Sequence, residues 1–333
     1  ELEWSFARKV SFFPSGERAV VVGERNEGAI WHLGSQVALH QLRHDPGVER
    51  ILDVQIFPRG DRLVTLDSDC TAIIWDATSG DALMRVAVST IGQHHAVRVF
   101  AGGSRLLTGV SEMEGDPAAI WDTADGRPYR LVRQPVLPIA FLEVFPCGTR
   151  FLTADQEENV YIWSVEGGQA LVTWAVAFDH GPGYIFDLAI SRDGADVVVS
   201  ADGNGVLVWS SATGELRHAL DPGPGSPIVE LLSNGSLAML TRSPEHGLAI
   251  VDTNGGIQRD LLGASSDAIE YREIDARDGV IVACGGSGDV SRLTAWDSST
   301  GSVLQAVEHH GGVPGPCYAA VGPRMSMLGA LTA

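Results

Sequence analysis

The residues best suited to chemistry in this sequence are its histidines and cysteines, which bind metals and act as nucleophiles or bases. Zinc ligands commonly follow short spacings such as C-x-x-C, which occurs at none of the four cysteines: Cys70, Cys147, Cys284 and Cys317. Two adjacent histidine pairs, at 94–95 and 309–310, have no cysteine at zinc spacing. The glycine-containing loop at 179–183 precedes no helix that could bind a phosphate, and no Gly-x-Ser-x-Gly elbow occurs. We therefore predict no catalytic residue, no metal and no cofactor.

The charge of the chain disfavours two classes of partner. The 42 acidic and 23 basic residues give a formal net charge of −19 over 333 residues, which opposes binding to nucleic acid and to anionic membranes. No apolar run approaches the roughly 18 residues that a spanning helix needs. The cysteine usage is typical of a reducing compartment, and no secretory leader begins the chain at Glu1. We expect an intracellular protein, cytoplasmic or nuclear, that does not insert into membranes.

A short pattern returns along the chain and determines where these residues lie. The stretch TAIIWDATSG at 71–80 joins an apolar run, a tryptophan and a glycine turn, and similar stretches surround five other tryptophans. With Val251 filling one gap, the repeated position falls at residues 31, 75, 121, 163, 209, 251 and 296, at intervals of 42 to 46 residues. Repeats of this length are typical of units that pack against their neighbours.

A second pattern precedes each repeated position. In FFPSGERAVVV and IFPRGDRLVTL, an apolar strand, a glycine turn and another apolar strand follow one another, and five further units carry the same arrangement or a variant of it. Together the two patterns predict four short strands per unit, A to D, with strand C ending at the repeated position. Such units bury their faces by stacking around a ring. We predict an all-β protein, a seven-bladed β-propeller of four-stranded antiparallel blades over 1–311.

The last residues, 312–333, contain one more strand–turn–strand pattern, within CYAAVGPRMSMLGALTA. We expect an extra C-terminal A–B hairpin that packs outside seven full blades or begins a further domain. The alternative is a propeller of eight blades, the last one partial.

The repeated stretches resemble the WD-repeat β-propeller family over nearly the whole chain. In that family a buried network joins a histidine of the D–A loop, a serine or threonine of strand B, an aspartate of the B–C turn and the tryptophan of strand C. The resemblance implies this structural network in the second and fifth units: His44, Thr65, Asp69 and Trp75, and then His180, Ser200, Asp202 and Trp209. The histidine pairs also fall at D–A loops, which favours a structural role for them.

The resemblance also implies that the B–C turns share one face, called the top. These turns carry 13 acidic residues, although one aspartate per turn suits the turn itself. A face of one sign attracts oppositely charged partners. We predict partner binding by the following acids: Glu112, Glu114, Asp116, Asp155, Glu157, Glu158, Asp202 and Asp289.

Three functions are compatible with this sequence to different degrees. The favoured one is a non-catalytic protein–protein interaction scaffold, a subunit of a larger complex whose acidic top face binds basic partner segments. The alternative is a regulatory or sensor module of a longer multidomain protein. An enzyme with a central cofactor or metal is disfavoured, because no ligand set is evident and because the tryptophan precedes the glycine turn, whereas in quinoprotein propellers it follows.

Overall fold

The computed structural model describes residues 7–23, 26–35, 37–88, 95–110, 118–132, 139–176, 184–201, 205–220, 228–231, 237–240, 248–251, 258–260, 270–277, 279–287 and 290–310. Within these ranges the regular elements are β-strands, which form four-stranded antiparallel sheets. In each sheet the strands are neighbours in the order of the chain. The protein is an all-β propeller built from such blades.

The chain divides into two compact units, Glu1–Ala175 and Val176–Ala333. The first unit contains blades 1 to 4, with these strands: β1 (Ala7–Phe12), β2 (Arg18–Gly23), β3 (Glu27–His32), β4 (Val37–Arg43), β5 (Ile51–Ile56), β6 (Arg62–Asp67), β7 (Thr71–Asp76), β8 (Ala82–Ala87), β9 (His95–Val99), β10 (Arg105–Val110), β11 (Ala118–Asp122), β12 (Pro128–Val132), β13 (Ile139–Val144), β14 (Arg150–Asp155), β15 (Asn159–Ser164) and β16 (Ala170–Ala175).

The second unit contains the remaining blades, with these strands: β17 (Ile185–Ile190), β18 (Asp196–Ala201), β19 (Gly205–Ser210), β20 (Leu216–Leu220), β21 (Ile228–Leu231), β22 (Leu237–Leu240), β23 (Leu248–Val251), β24 (Gln258–Asp260), β25 (Glu270–Arg277), β26 (Val280–Ser287), β27 (Val290–Asp297) and β28 (Val303–His310). The hairpin expected at 312–333, and with it the choice between seven and eight blades, lies outside the described residues.

One sheet is smaller than sequence reasoning predicted. Six blades have strands of five to eight residues, but the sheet of β21 to β24 has strands of only three or four. The prediction of seven full blades is therefore wrong, because the described residues form six full blades and a partial one. In this partial blade the sequence has Val251 where the other blades have the strand C tryptophan, so strand C lacks a large aromatic side chain to bury.

The core of the first unit lies between neighbouring blades. Val20 and Ile30 of blade 1 share one buried cluster with Leu63 and Ile73 of blade 2, and equivalent clusters join blade 2 to blade 3 and blade 3 to blade 4. The second strand of blade 2 is nearly continuously buried, whereas its fourth strand is mostly exposed. A single blade would leave these faces in water, so the repeat requires its neighbours.

The glycine that follows the tryptophan of blade 2 has two reasons to be glycine. Gly80 lies in the turn between β7 and β8 with φ of +78°, a left-handed conformation that favours glycine. A Cβ atom at Gly80 would lie 2.6 Å from Cβ of His40 in blade 1. The turn thus allows blade 2 to approach the outer strand of blade 1 closely.

Candidate functional site

A buried hydrogen-bonded network joins three of the four residues predicted for blade 2. Trp75 Nε1 donates to Thr65 Oγ1 at 2.8 Å, and His44 Nε2 lies 2.7 Å from the same oxygen. The other ring nitrogen of His44, Nδ1, lies 2.6 Å from Oδ2 of Asp67. All four side chains are buried, so each polar atom depends on its partner inside the network.

The acidic member of this network is Asp67, not Asp69 as the sequence predicted. Asp67 lies two residues after Thr65, so both side chains point to the same face of the strand. Its second oxygen, Oδ1, accepts hydrogen bonds from the backbone N–H groups of Asp69 at 3.0 Å and Thr71 at 2.8 Å. Asp69 itself is exposed at the tip of the turn. Strand periodicity, rather than proximity to the turn, identifies the correct residue.

The tryptophan–threonine pair recurs in the next two blades. Trp121 Nε1 donates to Thr108 Oγ1 at 2.8 Å, and Trp163 Nε1 donates to Thr153 Oγ1 at 2.9 Å. In each case the threonine lies two residues beyond the cross-strand partner of the tryptophan. This register therefore defines a hydroxyl position that three successive blades fill with threonine.

Blade 5 departs from the predicted network. By the same register the hydroxyl position of Trp209 belongs to Val199, because Val197 is the cross-strand partner of that tryptophan. Ser200 lies one residue further along, and one residue places a side chain on the opposite face of the strand. The prediction for Ser200 is therefore wrong, while His180 and Asp202 lie outside the described residues.

Blade 4 shows that one acid predicted to bind partners is structural. Asp155 lies two residues after Thr153, as Asp67 does after Thr65, and it is 2% exposed. Its Oδ1 accepts hydrogen bonds from the backbone N–H groups of Glu157 at 3.0 Å and Asn159 at 2.9 Å. The prediction that Asp155 faces a partner is therefore wrong, because its carboxylate holds the B–C turn together.

The two acids that follow Asp155 lie at the surface of this turn. Glu157 is exposed and Glu158 is half-buried, with a φ of +59°. Burial and the negative charges of Asp155 and Glu157 raise the pKa of Glu158. Among the described residues, neither glutamate forms an ion pair with a lysine or arginine. The other acids predicted for this surface lie outside the described residues: Glu112, Glu114, Asp116, Asp202 and Asp289.

A chain of ion pairs, which sequence reasoning missed, crosses the first strands of blades 1 to 4. The Lys9 ammonium group contacts Asp53 Oδ1, and Arg98 Nη1 lies 2.9 Å from Asp53 Oδ2. Arg98 Nη2 in turn lies 2.7 Å from Glu143 Oε1. The four residues recur at intervals of 44, 45 and 45 along the sequence, so the repeat length and the alternating charge were the available signal.

Asp53 is the centre of this chain. Its Oδ1 also accepts the backbone N–H of Val54 at 2.8 Å, and its Oδ2 accepts that of Val97 in blade 3 at 3.1 Å. Burial alone would raise the pKa of Asp53, but the charges of Lys9 and Arg98 and these hydrogen bonds outweigh burial and lower it. Burial likewise opposes the charge of Arg98, yet the carboxylates of Glu143 and Asp53 raise its pKa. Both groups are therefore charged at neutral pH, and they join three neighbouring blades.

Within the described residues, no group of three or more histidine, cysteine or acidic side chains is arranged to hold a metal ion. Cys70 is buried, Cys147 is exposed, and neither forms a disulfide bond. No helix in the described part of the chain is long and apolar enough to cross a membrane. The side chains of the histidine pairs at 94–95 and 309–310 lie outside the described residues.

Comparison with known proteins identifies the fold but no family. No family model and no curated protein match the chain. The computationally designed Ika8 protein is similar, with a TM-score of 0.72, 17% identity, and coverage of 93% of this chain and 88% of its own. The β-propeller domain of Cps50 (Swd1) from Myceliophteria thermophila has a TM-score of 0.67 and 14% identity, covering 87% of this chain and 96% of its own. At these identities the likeness shows a β-propeller fold alone.

Proposed function

We propose that this protein is a WD-repeat propeller that serves as a non-catalytic scaffold for protein–protein interaction. Support for the family comes from blade 2, where Trp75, Thr65, His44 and Asp67 form the buried network that typifies WD repeats. The tryptophan–threonine pairs of blades 3 and 4 support it further. In this proposal the buried polar residues hold the blades rigid, and exposed turns carry the function.

The main support for the proposed interaction site is the acidic turn of blade 4. Three of its four successive residues from 155 to 158 are acids, and the carboxylate of the first accepts hydrogen bonds from backbone N–H groups of the turn and from the side chains of Asn159 and Tyr161. Glu157 and Glu158 remain at the surface, and the raised pKa of Glu158 reflects burial and a negative local potential. A lysine or arginine side chain of a partner would relieve that potential.

The proposed partner is a basic segment of another protein. The proposed surface is centred on Glu157 and Glu158 of blade 4. The other acids that the sequence predicts for partner binding remain part of the proposal: Glu112, Glu114, Asp116, Asp202 and Asp289. The net charge of −19 supports a protein partner over nucleic acid or an anionic membrane. Cys70 and Cys147 do not form disulfide bonds, which supports the proposed intracellular location, where such a scaffold would belong to a larger complex.

A fluorescently labelled lysine- and arginine-rich peptide of 12 residues provides the test. The double substitution Glu157→Gln and Glu158→Gln should raise its Kd by about three- to tenfold in fluorescence anisotropy, because each exposed contact contributes only about 0–1 kcal/mol. The effect should vanish near 1 M salt, where the Debye length is about 3 Å.

The matched control separates a site from general attraction to an acidic protein. Glu17→Gln with Glu215→Gln removes the same charge from exposed positions at the other end of the strands, beside the A–B and C–D turns. This control should leave the Kd unchanged. Equal effects of the two double variants would show that the peptide responds only to net charge, and the proposed site would be rejected.

A further inference from the structure

The outer strand of blade 4 differs from the other outer strands in its lack of charge. β16 has the sequence ALVTWA, and the chain carries no charged residue from 167 to 178. Each of the other outer strands that the structure describes contains at least one charged residue: Arg43 in β4, Arg85 in β8, Arg130 in β12, Arg217 in β20, Arg259 and Asp260 in β24, and Glu308 in β28. Charged residues on an edge strand discourage other strands from pairing with it. β16 therefore lacks a protection that the equivalent strands have.

The position of β16 in its sheet makes this lack of charge important. The strands of blade 4 follow the order β13, β14, β15, β16, so β16 is an edge strand, and within the described residues no strand pairs with its outer side. Trp174 is buried, whereas the alternate residues Leu171, Thr173 and Ala175 are exposed, Leu171 by 50%. An edge strand presents a row of backbone N–H and C=O groups to which a further strand can bind.

A β-bulge at Leu171 does not set this edge apart. The bulge lies where Val172 pairs with Ile162 but Ala170 pairs with Trp163, and the outer strands of blades 1 and 2 have the same irregularity. From Val172 to Ala175 the pairing with β15 is regular. Most of β16 thus has the regular backbone that a second strand requires on its other side.

The charge of the whole chain indicates how two copies could meet. A net charge of −19 makes most surfaces of one copy repel another copy. An uncharged strand avoids placing like charges directly opposite each other, which destabilises a pair of strands. Contact between two copies through β16 therefore has the smallest electrostatic cost among the outer strands that the structure describes.

The order of residues in β16 also fits antiparallel pairing with itself. A two-fold axis perpendicular to the sheet at Thr173 keeps the exposed side chains of both strands on the same face. Thr173 then lies opposite Thr173 of the second copy, and Leu171 lies opposite Ala175. Threonine pairs stabilise neighbouring strands, and the larger leucine meets the small alanine.

We propose that β16 is the dimerisation strand of this protein. β16 of one copy pairs antiparallel with β16 of a second copy, which joins the two copies of blade 4 into one continuous sheet. Because both copies use the same surface, the contact closes at two copies and leaves no free partner for a third. The proposal goes beyond the scaffold function and does not depend on the acidic turn of blade 4.

Sedimentation velocity over a series of protein concentrations measures this association as a dimer Kd. Thr173→Lys and Thr173→Glu each place like charges opposite each other at the two-fold axis, and each should raise the dimer Kd at least about tenfold. An equimolar mixture of the two variants places opposite charges there instead. The mixture should form a heterodimer with a Kd close to that of the parent protein.

The matched control lies in the outer strand of blade 1. Gln41 pairs with Ala29 as Thr173 pairs with Tyr161, and both Gln41 and Thr173 are exposed. Gln41→Lys and Gln41→Glu should leave the dimer Kd unchanged. Added salt should lower the dimer Kd, because it screens the repulsion between two acidic copies, whereas it should weaken the binding of a basic peptide.

Three results would overturn the proposal. The first is a parent protein that remains monomeric up to about 0.1 mM, a concentration at which a micromolar dimer would be nearly complete. The second is a dimer that the Thr173 variants do not weaken, or that their mixture does not restore although circular dichroism shows both variants folded. The third is amide hydrogen exchange in residues 170–175 that does not slow as the protein concentration rises, because pairing through β16 should protect these amides.

Discussion

Trp75 and Thr65 are joined by a hydrogen bond of 2.8 Å from the indole Nε1 to the threonine hydroxyl, and this bond orders the whole buried network of blade 2. The Asp67 carboxylate can only accept hydrogen bonds, so His44 Nδ1 donates its hydrogen to this carboxylate. In the neutral imidazole ring, Nε2 then accepts a hydrogen bond from the Thr65 hydroxyl. The hydroxyl oxygen is left to accept from Trp75. Every donor meets an acceptor in a single consistent arrangement, which is the condition for a buried polar network to stabilise a fold.

The first prediction compares the two aspartates of the blade 2 turn. Asp67→Ala should lower the free energy of unfolding by about 1–3 kcal/mol, because it leaves His44 Nδ1 and two turn N–H groups without an acceptor. Asp69→Ala, at the exposed tip, should change it by no more than about 0.5 kcal/mol. Urea unfolding followed by tryptophan fluorescence provides both values. Similar losses for the two variants would contradict the assignment of Asp67 to the network.

The difference between Asp67 and Asp69 shows what sequence reasoning could and could not reach here. The repeated tryptophan and the glycine turns are properties of single strands and turns, so four-stranded units could be predicted from them. The choice between two nearby acids, and between Val199 and Ser200 in blade 5, depends on which face of a strand a residue occupies. That face follows from register, and variation in turn length hides the register in a sequence.

Contacts between blades were even harder to predict from the sequence. The ion pairs from Lys9 through Asp53 and Arg98 to Glu143 depend on the stagger of one blade against the next. The repeat length places these residues in equivalent strands, but it does not show that opposite charges at slightly different strand positions meet. The structural role of Asp155 was missed for a similar reason, since an acid in a turn is equally compatible with solvent and with backbone N–H groups.

The second prediction concerns the tryptophan of blade 1. By register, Val21 holds the position that Thr65 holds in blade 2, and among the described residues no acceptor lies within hydrogen-bonding distance of the buried Trp31 Nε1. Val21→Thr adds a hydroxyl of nearly the same shape as a methyl group, and it should stabilise the protein by about 0.5–1.5 kcal/mol. The control Val20→Thr places a hydroxyl on the opposite face and should destabilise it. A loss of stability in both variants would show that Trp31 is not the hydroxyl's partner.

The third prediction concerns the ion pairs around Asp53. Asp53→Asn should destabilise the protein by about 2–4 kcal/mol at pH 7, because Lys9 and Arg98 lose a buried counter-charge. The folded-state pKa of Asp53 is lowered, so its contribution is complete above the ordinary value of 3.8 and diminishes as the pH falls below that value. We therefore measure the unfolding temperatures of the parent protein and of Asp53→Asn between pH 7 and pH 2. The difference between the two temperatures should narrow only below pH 3.8.

The exposed pair of Asp45 and Arg85 supplies the control for this experiment. Its atoms lie 2.8 Å apart, similar to the contact of Arg98 with Asp53, but the Asp45 side chain is 70% exposed. Asp45→Asn should cost no more than about 1 kcal/mol, since solvent screens the pair. Equal losses for Asp45→Asn and Asp53→Asn would contradict the importance of burial in the chain of ion pairs.

The fourth prediction links stability to the proposed acidic site. The pKa of Glu158 is raised in the folded protein, so the folded state binds its proton more tightly, and stability falls as the pH rises through and above the ordinary value of 4.5. Glu158→Gln should therefore raise the free energy of unfolding at pH 7 by an amount on the order of 0.5 kcal/mol, seen as a higher unfolding temperature, and should leave both unchanged at pH 3. Glutamine occupies the same left-handed backbone position, so the comparison isolates the charge. Glu17→Gln, which lies at another exposed turn, should shift neither value.

The proposed function requires the opposite effect of the same substitution on binding. In this proposal Glu158 lowers the stability of the free protein but strengthens the binding of a basic peptide. Binding residues often lower the stability of a protein in this way. Differential scanning fluorimetry and peptide anisotropy on the single variant Glu158→Gln measure the two quantities separately. A gain in stability together with a weaker peptide contact is the expected result. A gain in stability with unchanged affinity would leave Glu158 as a strained turn residue and move the peptide site to another surface.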